Sequence, residues 1–271
     1  MKILHFINSL SSGGAEVFLV DLLVELKKQG NDVSLATYAG VLDSKGENLL
    51  AILKQNDIPY FDLNSKTILK KITLPLKLNE LIDREKFNII HSHLDQSDFF
   101  LFLSSLIHRR KAELLYLRTL HSVNFIKRIP KFIHNKMMRF FKVNICVAEN
   151  QLFKFEKEYA GCNFLQISNG ISNKSIVRNM QTLVEQKFNI AFVGSFDKRL
   201  GKFMKGQDYA LKVFRKVNKD NIILNFFGDG ESMDRLIQYA KLKNIQNVKF
   251  HGQVAELNKE ISKCNFFLSC S

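Results

Sequence analysis

Short apolar runs alternate along this chain with longer segments whose apolar positions recur every three or four residues. Ile3, Leu4, Phe6 and Ile7 form the first run. It is nearly continuous, as a strand covered on both faces requires. After the glycine pair at 13–14 the apolar residues are Ala15, Phe18, Leu19, Leu22, Leu23 and Leu26, a spacing that lines one face of a helix. Lys27 and Lys28 fall in the last turn of that helix, and Gly30 is placed to end it. The alternation returns at DVSLATY (32–38), FNIIHSH (87–93), ELLYLRT (113–119), VNICVA (143–148) and NFLQIS (163–168). It starts afresh after residue 188 with FNIAFVG, NIILNFFGDG, NVKFHG and CNFFLSC. Between the two series, residues 172–187 are polar and have no strand character.

Strands and helices in alternation predict parallel sheets joined by right-handed crossovers. The expected fold is α/β, with two doubly wound domains: residues 1–172, a connection over 173–188, and a second domain over 189–271. Ligands of such sheets lie beyond the carboxyl ends of the strands, so a cleft between the domains is expected to hold the site. Gly13 and Gly14 sit at one such end, where a strand hands over to a helix. Backbone N–H groups there carry partial positive charge, and no Cβ keeps an anion away. A phosphate-facing loop is one reading of this pair. A tight turn without a ligand is the other, because the dinucleotide pattern G-x-G-x-x-G is absent.

Composition narrows the class. An apolar share of 46% over 271 residues supports a large core. Forty basic against 26 acidic residues give a net charge of +14. An anionic partner follows: a nucleic acid, an anionic lipid or a phosphorylated substrate. No nucleic-acid readout module is recognisable, which removes the first. No signal peptide is expected from the Met-Lys start, and the longest apolar run, FFLFLSSLI (99–107), falls short of the about 18 residues that span a bilayer. Cys146, Cys162, Cys264 and Cys270 lack metal-ligand spacing and read as reduced thiols of a cytoplasmic protein. Residues 124–142 carry Lys127, Arg128, Lys131, Lys136, Arg139 and Lys142, with no acid and with apolar residues interleaved. From Pro130 onward this run predicts a helix with one basic and one apolar face. Such a helix suits an anionic membrane surface, or else buries its apolar face on the domain's own sheet. Residues 66–78 (KTILKKITLPLKL) form a second patch of the same kind.

The order of the remaining motifs resembles the retaining nucleotide-sugar glycosyltransferases of family four, which have the GT-B fold. The motifs are SLSSGGAE (9–16), IIHSH (89–93), RTLHS (118–122), ISNGI (167–171), FVGSFDKRLGKFMKG (192–206), FFGDGESMDRL (226–236), VKFHGQV (248–254) and CNFFLSCS (264–271). The resemblance implies transfer of a sugar, with retention, from a nucleotide-diphosphate donor to a glycan or lipid-linked acceptor. Surface polysaccharide or glycolipid assembly would be the setting, and no cofactor or metal is implied. Lys205 matches the lysine that grips the diphosphate, while Ser195 stands where the family usually has an arginine. Arg199 or Lys202 is a candidate for that missing charge. His121 matches a histidine near the donor, and Gly228, Asp229, Gly230 and Gly252 match backbone near the nucleotide. Glu16 and His93 fall on the acceptor side, and of His91 and His93 one is expected to point into the core. The diphosphate is expected between Gly13–Gly14 and Lys205. The family continues past CNFFLSCS with two glutamates that contact the donor. The second domain is therefore expected to be incomplete and turnover by this chain to be small; a nucleotide-binding remnant is the alternative.

Overall fold

The apolar run after Lys2 is an interior strand of the first of two parallel sheets. The computed structural model describes residues 1–109, 111–122, 130–170, 187–199, 201–203, 205–217, 219–254 and 256–270, and of Lys111, Arg199 and Lys202 the backbone only. The chain divides into two compact units, Met1–Ile171 and Ser172–Ser271. Most of the polar segment 172–187 lies outside the described residues.

In the first unit the strands are β1 (Lys2–Ile7), β2 (Asp32–Thr37), β3 (Tyr60–Asp62), β4 (Ile89–His93), β5 (Leu115–Leu120), β6 (Val143–Cys146) and β7 (Phe164–Gln166). They form one sheet in the order β3-β2-β1-β4-β5-β6-β7, with every pair parallel. The chain winds outward from β1 in one direction and then from β4 in the other. The β1–β4 pair is therefore the switch point, where loops diverge and leave a crevice. Helices α1 (Gly14–Lys28), α2 (Ser44–Gln55), α3 (Ile68–Ile72), α4 (Leu74–Glu85), α5 (Asp95–Ile107), α6 (Lys131–Phe140) and α7 (Glu149–Glu158) fill the connections. Alternation along β1 divides the core. Ile7 packs with Leu19, Leu23, Leu35 and Leu53, and Leu4 and Phe6 pack with Leu78, Ile82, Ile90 and Leu101.

The second unit repeats the plan on a smaller scale. Strands β8 (Phe188–Val193), β11 (Ile222–Phe227), β12 (Val248–Phe250) and β13 (Phe266–Leu268) form a parallel sheet in the order β12-β11-β8-β13. Its switch point lies between β8 and β13. Helices α8 (Gln207–Val217), α9 (Met233–Leu242) and α10 (Leu257–Ile261) alternate with the strands. Phe192, Phe196, Leu211, Phe214, Phe226 and Leu236 make up much of the core. A small antiparallel hairpin, β9 (Lys198–Arg199) with β10 (Lys202–Phe203), interrupts the first crossover. Strands of two residues have no apolar period to read, so the sequence does not predict this hairpin.

The two basic amphipathic patches end differently. In α6 the helix starts after Pro130 as expected, and His134, Met137 and Met138 turn into the unit while Phe132 stays 61% exposed. The apolar face of α6 thus packs inward. Lys127 and Arg128 lie outside the described residues. In α3, Ile68, Leu69 and Ile72 are 82%, 79% and 71% exposed, and Leu76 follows at 60%. No helix among the described residues is long and apolar enough to cross a membrane.

One face of β4–β6 carries a buried polar layer. Ser92, Arg118 and Asn144 stand in register on three neighbouring strands. Asp98, in the first turn of α5, accepts the Ser92 hydroxyl at 2.6 Å and pairs with Arg118 at 3.5 Å. Arg118 also donates to Asn144 Oδ1 at 2.6 Å and lies over the Phe141 ring. Burial pushes the Asp98 carboxyl up to about 7, against the pull of Arg118 and the Ser92 hydroxyl. The native state then holds a proton that the unfolded chain, with an ordinary carboxyl at 3.8, has released. Stability contributed by this proton is complete below the unfolded value and is lost as pH rises through about 7. Asp98→Asn cannot ionise and removes that slope. The difference in unfolding free energy, wild type minus variant, is expected to fall by up to about 1.4 kcal/mol per pH unit between pH 5 and 7 and to level off above 8. Urea titrations of both proteins at pH 5, 6, 7 and 8 measure it, and a difference independent of pH would refute the assignment.

Candidate functional site

At the carboxyl end of β1 the chain enters the glycine loop. Gly13 is extended (φ −68°, ψ 150°) and is the N-cap of α1, but offers the helix no side-chain cap. That service comes from Glu16 in the first turn. Its carboxyl folds back over Gly13, where a Cβ would lie 2.8 Å from Glu16 Cδ, and it accepts the Ser11 hydroxyl at 3.3 Å. Burial raises the Glu16 carboxyl above its ordinary range, while its own backbone N–H and Ser11 lower it. Asp43 ties the loop down, accepting Ser12 N at 2.9 Å while capping α2 through Gly46 N at 2.7 Å. The loop's positive end therefore already faces a carboxyl from its own helix. A Cβ at Gly14 would meet nothing within 4 Å, so that glycine is the open one.

Beneath this loop, on the face opposite the Arg118 layer, four histidines are stacked. His5 of β1 is in register with His91 of β4, and their ring centroids are 4.9 Å apart. His91 and His93 stack at 4.4 Å, and His93 approaches His121 at 5.7 Å. The expectation that only one of His91 and His93 points inward is corrected here. Residues two apart on a strand share a face, and both are buried. His5 Nδ1 lies 3.1 Å from His93 Nε2, His93 Nδ1 lies 3.4 Å from His121 Nε2, and His91 Nε2 lies 2.9 Å from the Thr119 hydroxyl. Burial lowers His5 and His121 to about 4 and takes His91 and His93 well below the usual range, so the cluster is uncharged near neutral pH. The nitrogens of His5, His91 and His93 lie within 4.8 Å of one another. They are the one group among the described residues placed to hold a metal ion, although the short contacts are already hydrogen-bonded. Nothing in the sequence singles out His5; only the β1–β4 register, seen in the structure, places it beside His91. His121, half-buried past the end of β5, meets the edge of Phe18 from α1 at 5.9 Å. The glycine-loop helix and the β5 histidine thus converge.

In the second unit the turns after β8, β11 and β12 gather at one edge. Gly228 N donates to Gly252 O at 2.8 Å, and Phe196 N donates to Asp229 O at 2.9 Å. Gly230 (φ +155°) must be glycine because a Cβ there would lie 2.8 Å from the Phe196 carbonyl carbon. Ser195, in the family's arginine position, bonds the Asp197 carboxylate through its hydroxyl, and its carbonyl accepts Gln207 Nε2 at 2.6 Å. Lys205 lies with its stem across Gly194, where a Cβ would come within 2.8 Å of Lys205 Cγ. The next residue, Gly206 (φ +73°), abuts Cys270 just past β13. Lys205 is thereby set at the β8/β13 switch point. Arg199 lies in β9, and neither its side chain nor that of Lys202 is among those described. Ser195, Lys205, Gly228, Asp229, Gly230 and Gly252 are brought together within this unit, as Gly13, Gly14, Glu16, His93 and His121 are within the other.

Comparison with known proteins accords with this geometry. Residues 12–172 match the family Glycosyltransferase Family 4, and residues 187–271 match Glycosyl transferases group 1. The chain is 27% identical over 219 residues to an uncharacterized 41.2 kDa protein in the cps region of Klebsiella pneumoniae, covering 74% of this chain and 57% of that protein. It is 23% identical over 290 residues to the capsular polysaccharide biosynthesis glycosyltransferase CapH of Staphylococcus aureus, covering 99% of this chain and 74% of CapH. In fold it is similar to Anabaena HepE in complex with UDP-glucose (TM-score 0.78, 18% identity, 100% of this chain and 74% of HepE). A glycosyltransferase from Rickettsia africae is also similar (TM-score 0.74, 15% identity, 100% of this chain and 73% of that one). The architecture is of the GT-B type, with a smaller second sheet. With a family match over more than half of its residues, the chain belongs to glycosyltransferase family 4.

Proposed function

We propose that this chain carries the donor-diphosphate and acceptor loops of a retaining glycosyltransferase. The enzyme moves a sugar from a nucleotide-diphosphate donor to a glycan or lipid-linked acceptor in surface polysaccharide assembly. The observation that carries the reading is Lys205, held across Gly194 at the switch point of the second sheet. As the glycosidic bond to the diphosphate breaks, negative charge grows on the leaving oxygen, and fixed cations and backbone donors lower the barrier. Lys205 supplies the cation. The bare turns at Gly228, Gly230 and Gly252 let backbone approach the nucleotide closely. His121 hydrogen-bonds donor sugar or phosphate and Glu16 lines the acceptor side, whereas His93, fully buried with both ring nitrogens engaged by His5 and His121, does not reach an acceptor. The leaving phosphate takes the acceptor hydroxyl's proton on the same face. HepE in complex with UDP and with UDP-glucose supports a uridine nucleotide as the first donor to try.

The partner on the acceptor side is proposed to be an anionic membrane surface at the cytoplasmic face. It is engaged through α3 and the start of α4, where Ile68, Leu69, Ile72 and Leu76 stand exposed among Lys66, Lys70, Lys71 and Lys77. Apolar side chains at the tip of a basic patch enter the headgroup layer while the lysines meet anionic lipid, at about 1 kcal/mol each.

Two measurements test these roles. UDP binding by calorimetry is expected to be unchanged by EDTA and to weaken roughly 10- to 100-fold in Lys205→Ala, the loss of one charge-assisted bond. Strict dependence on a divalent ion, or an unaltered affinity in the variant, would count against the placement. Sedimentation with vesicles is expected to show salt-sensitive binding to phosphatidylglycerol-containing membranes, weak binding to neutral ones, and loss in Ile68→Glu/Leu69→Glu. Equal partitioning to both vesicle types would assign α3 another role.

A further inference from the structure

The histidine stack contains a continuous line of contacts that ends at His121. His5 Nδ1 faces His93 Nε2 at 3.1 Å, and His93 Nδ1 faces His121 Nε2 at 3.4 Å. His5 and His93 are buried and His121 is half-buried, and the desolvation keeps all three neutral, so each has one N–H and one lone pair. Only two settings of three neutral rings satisfy both contacts. In one, every N–H points toward His5, which leaves His5 with an Nε2–H donor. In the other, every N–H points toward His121, which leaves His5 Nε2 as a bare lone pair. That nitrogen is buried without a hydrogen-bond partner. An unpartnered buried N–H is the rarer and costlier defect of the two.

We propose that His5 and His93 are positioning residues that lock His121 in the Nδ1–H tautomer. His5 Nδ1–H donates to His93 Nε2, and His93 Nδ1–H donates to His121 Nε2. His121 is then left with a donor at Nδ1, the nitrogen outside the line. The nitrogen that carries the proton on a histidine is set by the bond its other nitrogen makes. His91 keeps the column upright, stacked on His93 and fastened to Thr119. A fixed N–H donor at Nδ1 suits a phosphate or sugar oxygen, which accepts; this use rests on the proposed role of His121 at the donor, whereas the tautomer itself does not.

Long-range proton–nitrogen correlation spectra of the full chain, labelled with nitrogen-15 histidine and recorded at pH 7.5, read the tautomer directly. His121 is expected to carry its proton on Nδ1 by at least roughly tenfold, the ratio set by one neutral hydrogen bond of about 1.4 kcal/mol. His93→Phe removes the donor and is expected to release His121 to a mixture. His93→Asn restores an amide N–H near the position of Nδ1 and is expected to recover the single tautomer. His121 found as Nε2–H in the wild type would overturn the proposal, as would a single tautomer that survives His93→Phe. Stoichiometric zinc is expected to leave the spectrum unchanged; a saturable shift of His5, His91 and His93 together would reassign the stack to a metal ion. If His121 is fixed as stated but His121→Ala binds UDP normally, the tautomer stands and the donor role of His121 falls.

Discussion

Parallel pairing of β1 with β4 is the constraint on which the first unit depends. These two strands are adjacent in space but are separated in sequence by two strands and four helices. Joining them fixes where the winding reverses, and only at a reversal do neighbouring loops leave in opposite directions. The loop after β1 and the turn after β4 are fastened there by Ser97, whose hydroxyl donates to Asn8 Oδ1 at 2.7 Å. The glycine loop, His93 and the start of α5 are all placed by that one pairing.

A strand buried on both faces offers no water to its polar side chains, so each must find a partner in the protein. Strand β4 meets this requirement in two ways. Toward α5, Ser92 joins an ionisable pair, Asp98 with Arg118, in which opposite charges offset part of the cost of burial. Toward α1, His91 and His93 join a stack of imidazoles that burial keeps neutral. Neutral rings need only one donor and one acceptor each, and they can be chained. The two faces thus solve one problem with an ionisable pair on one side and tautomers on the other.

In the second unit backbone rather than side chains shapes the candidate ligand edge. Gly194, Gly228 and Gly230 sit where any Cβ would strike a neighbouring turn or the stem of Lys205. These collisions are between loops of different strands, so the glycines mark close approach as well as turning. Lys205 gains a fixed path for its stem because Gly194 has no side chain. A cation on a guided stem is a better electrostatic partner for an anion than one free to sweep through solvent.

Periodicity was enough to read the alternation of strands and helices and the two parallel sheets, because burial imposes periods of two and of 3.6 on any chain that forms such layers. Motif order was enough to reach the family. Glu16, Lys205 and the glycines at 13, 14, 228, 230 and 252 could be named as candidates because they lie in short local stretches. What remained hidden depends on contacts between residues far apart in the chain. Eighty-eight positions separate His5 from His93, and only the β1–β4 register makes them neighbours. The same holds for Asp43, which restrains a glycine loop 31 residues earlier. The direction in which α6 presents its apolar face was also undecided, since an amphipathic helix suits a membrane or a sheet equally well. Tertiary packing turned His134, Met137 and Met138 inward and left Ile68, Leu69 and Ile72 of α3 exposed. Local sequence sets which faces must be buried; only the assembled sheet decides what buries them.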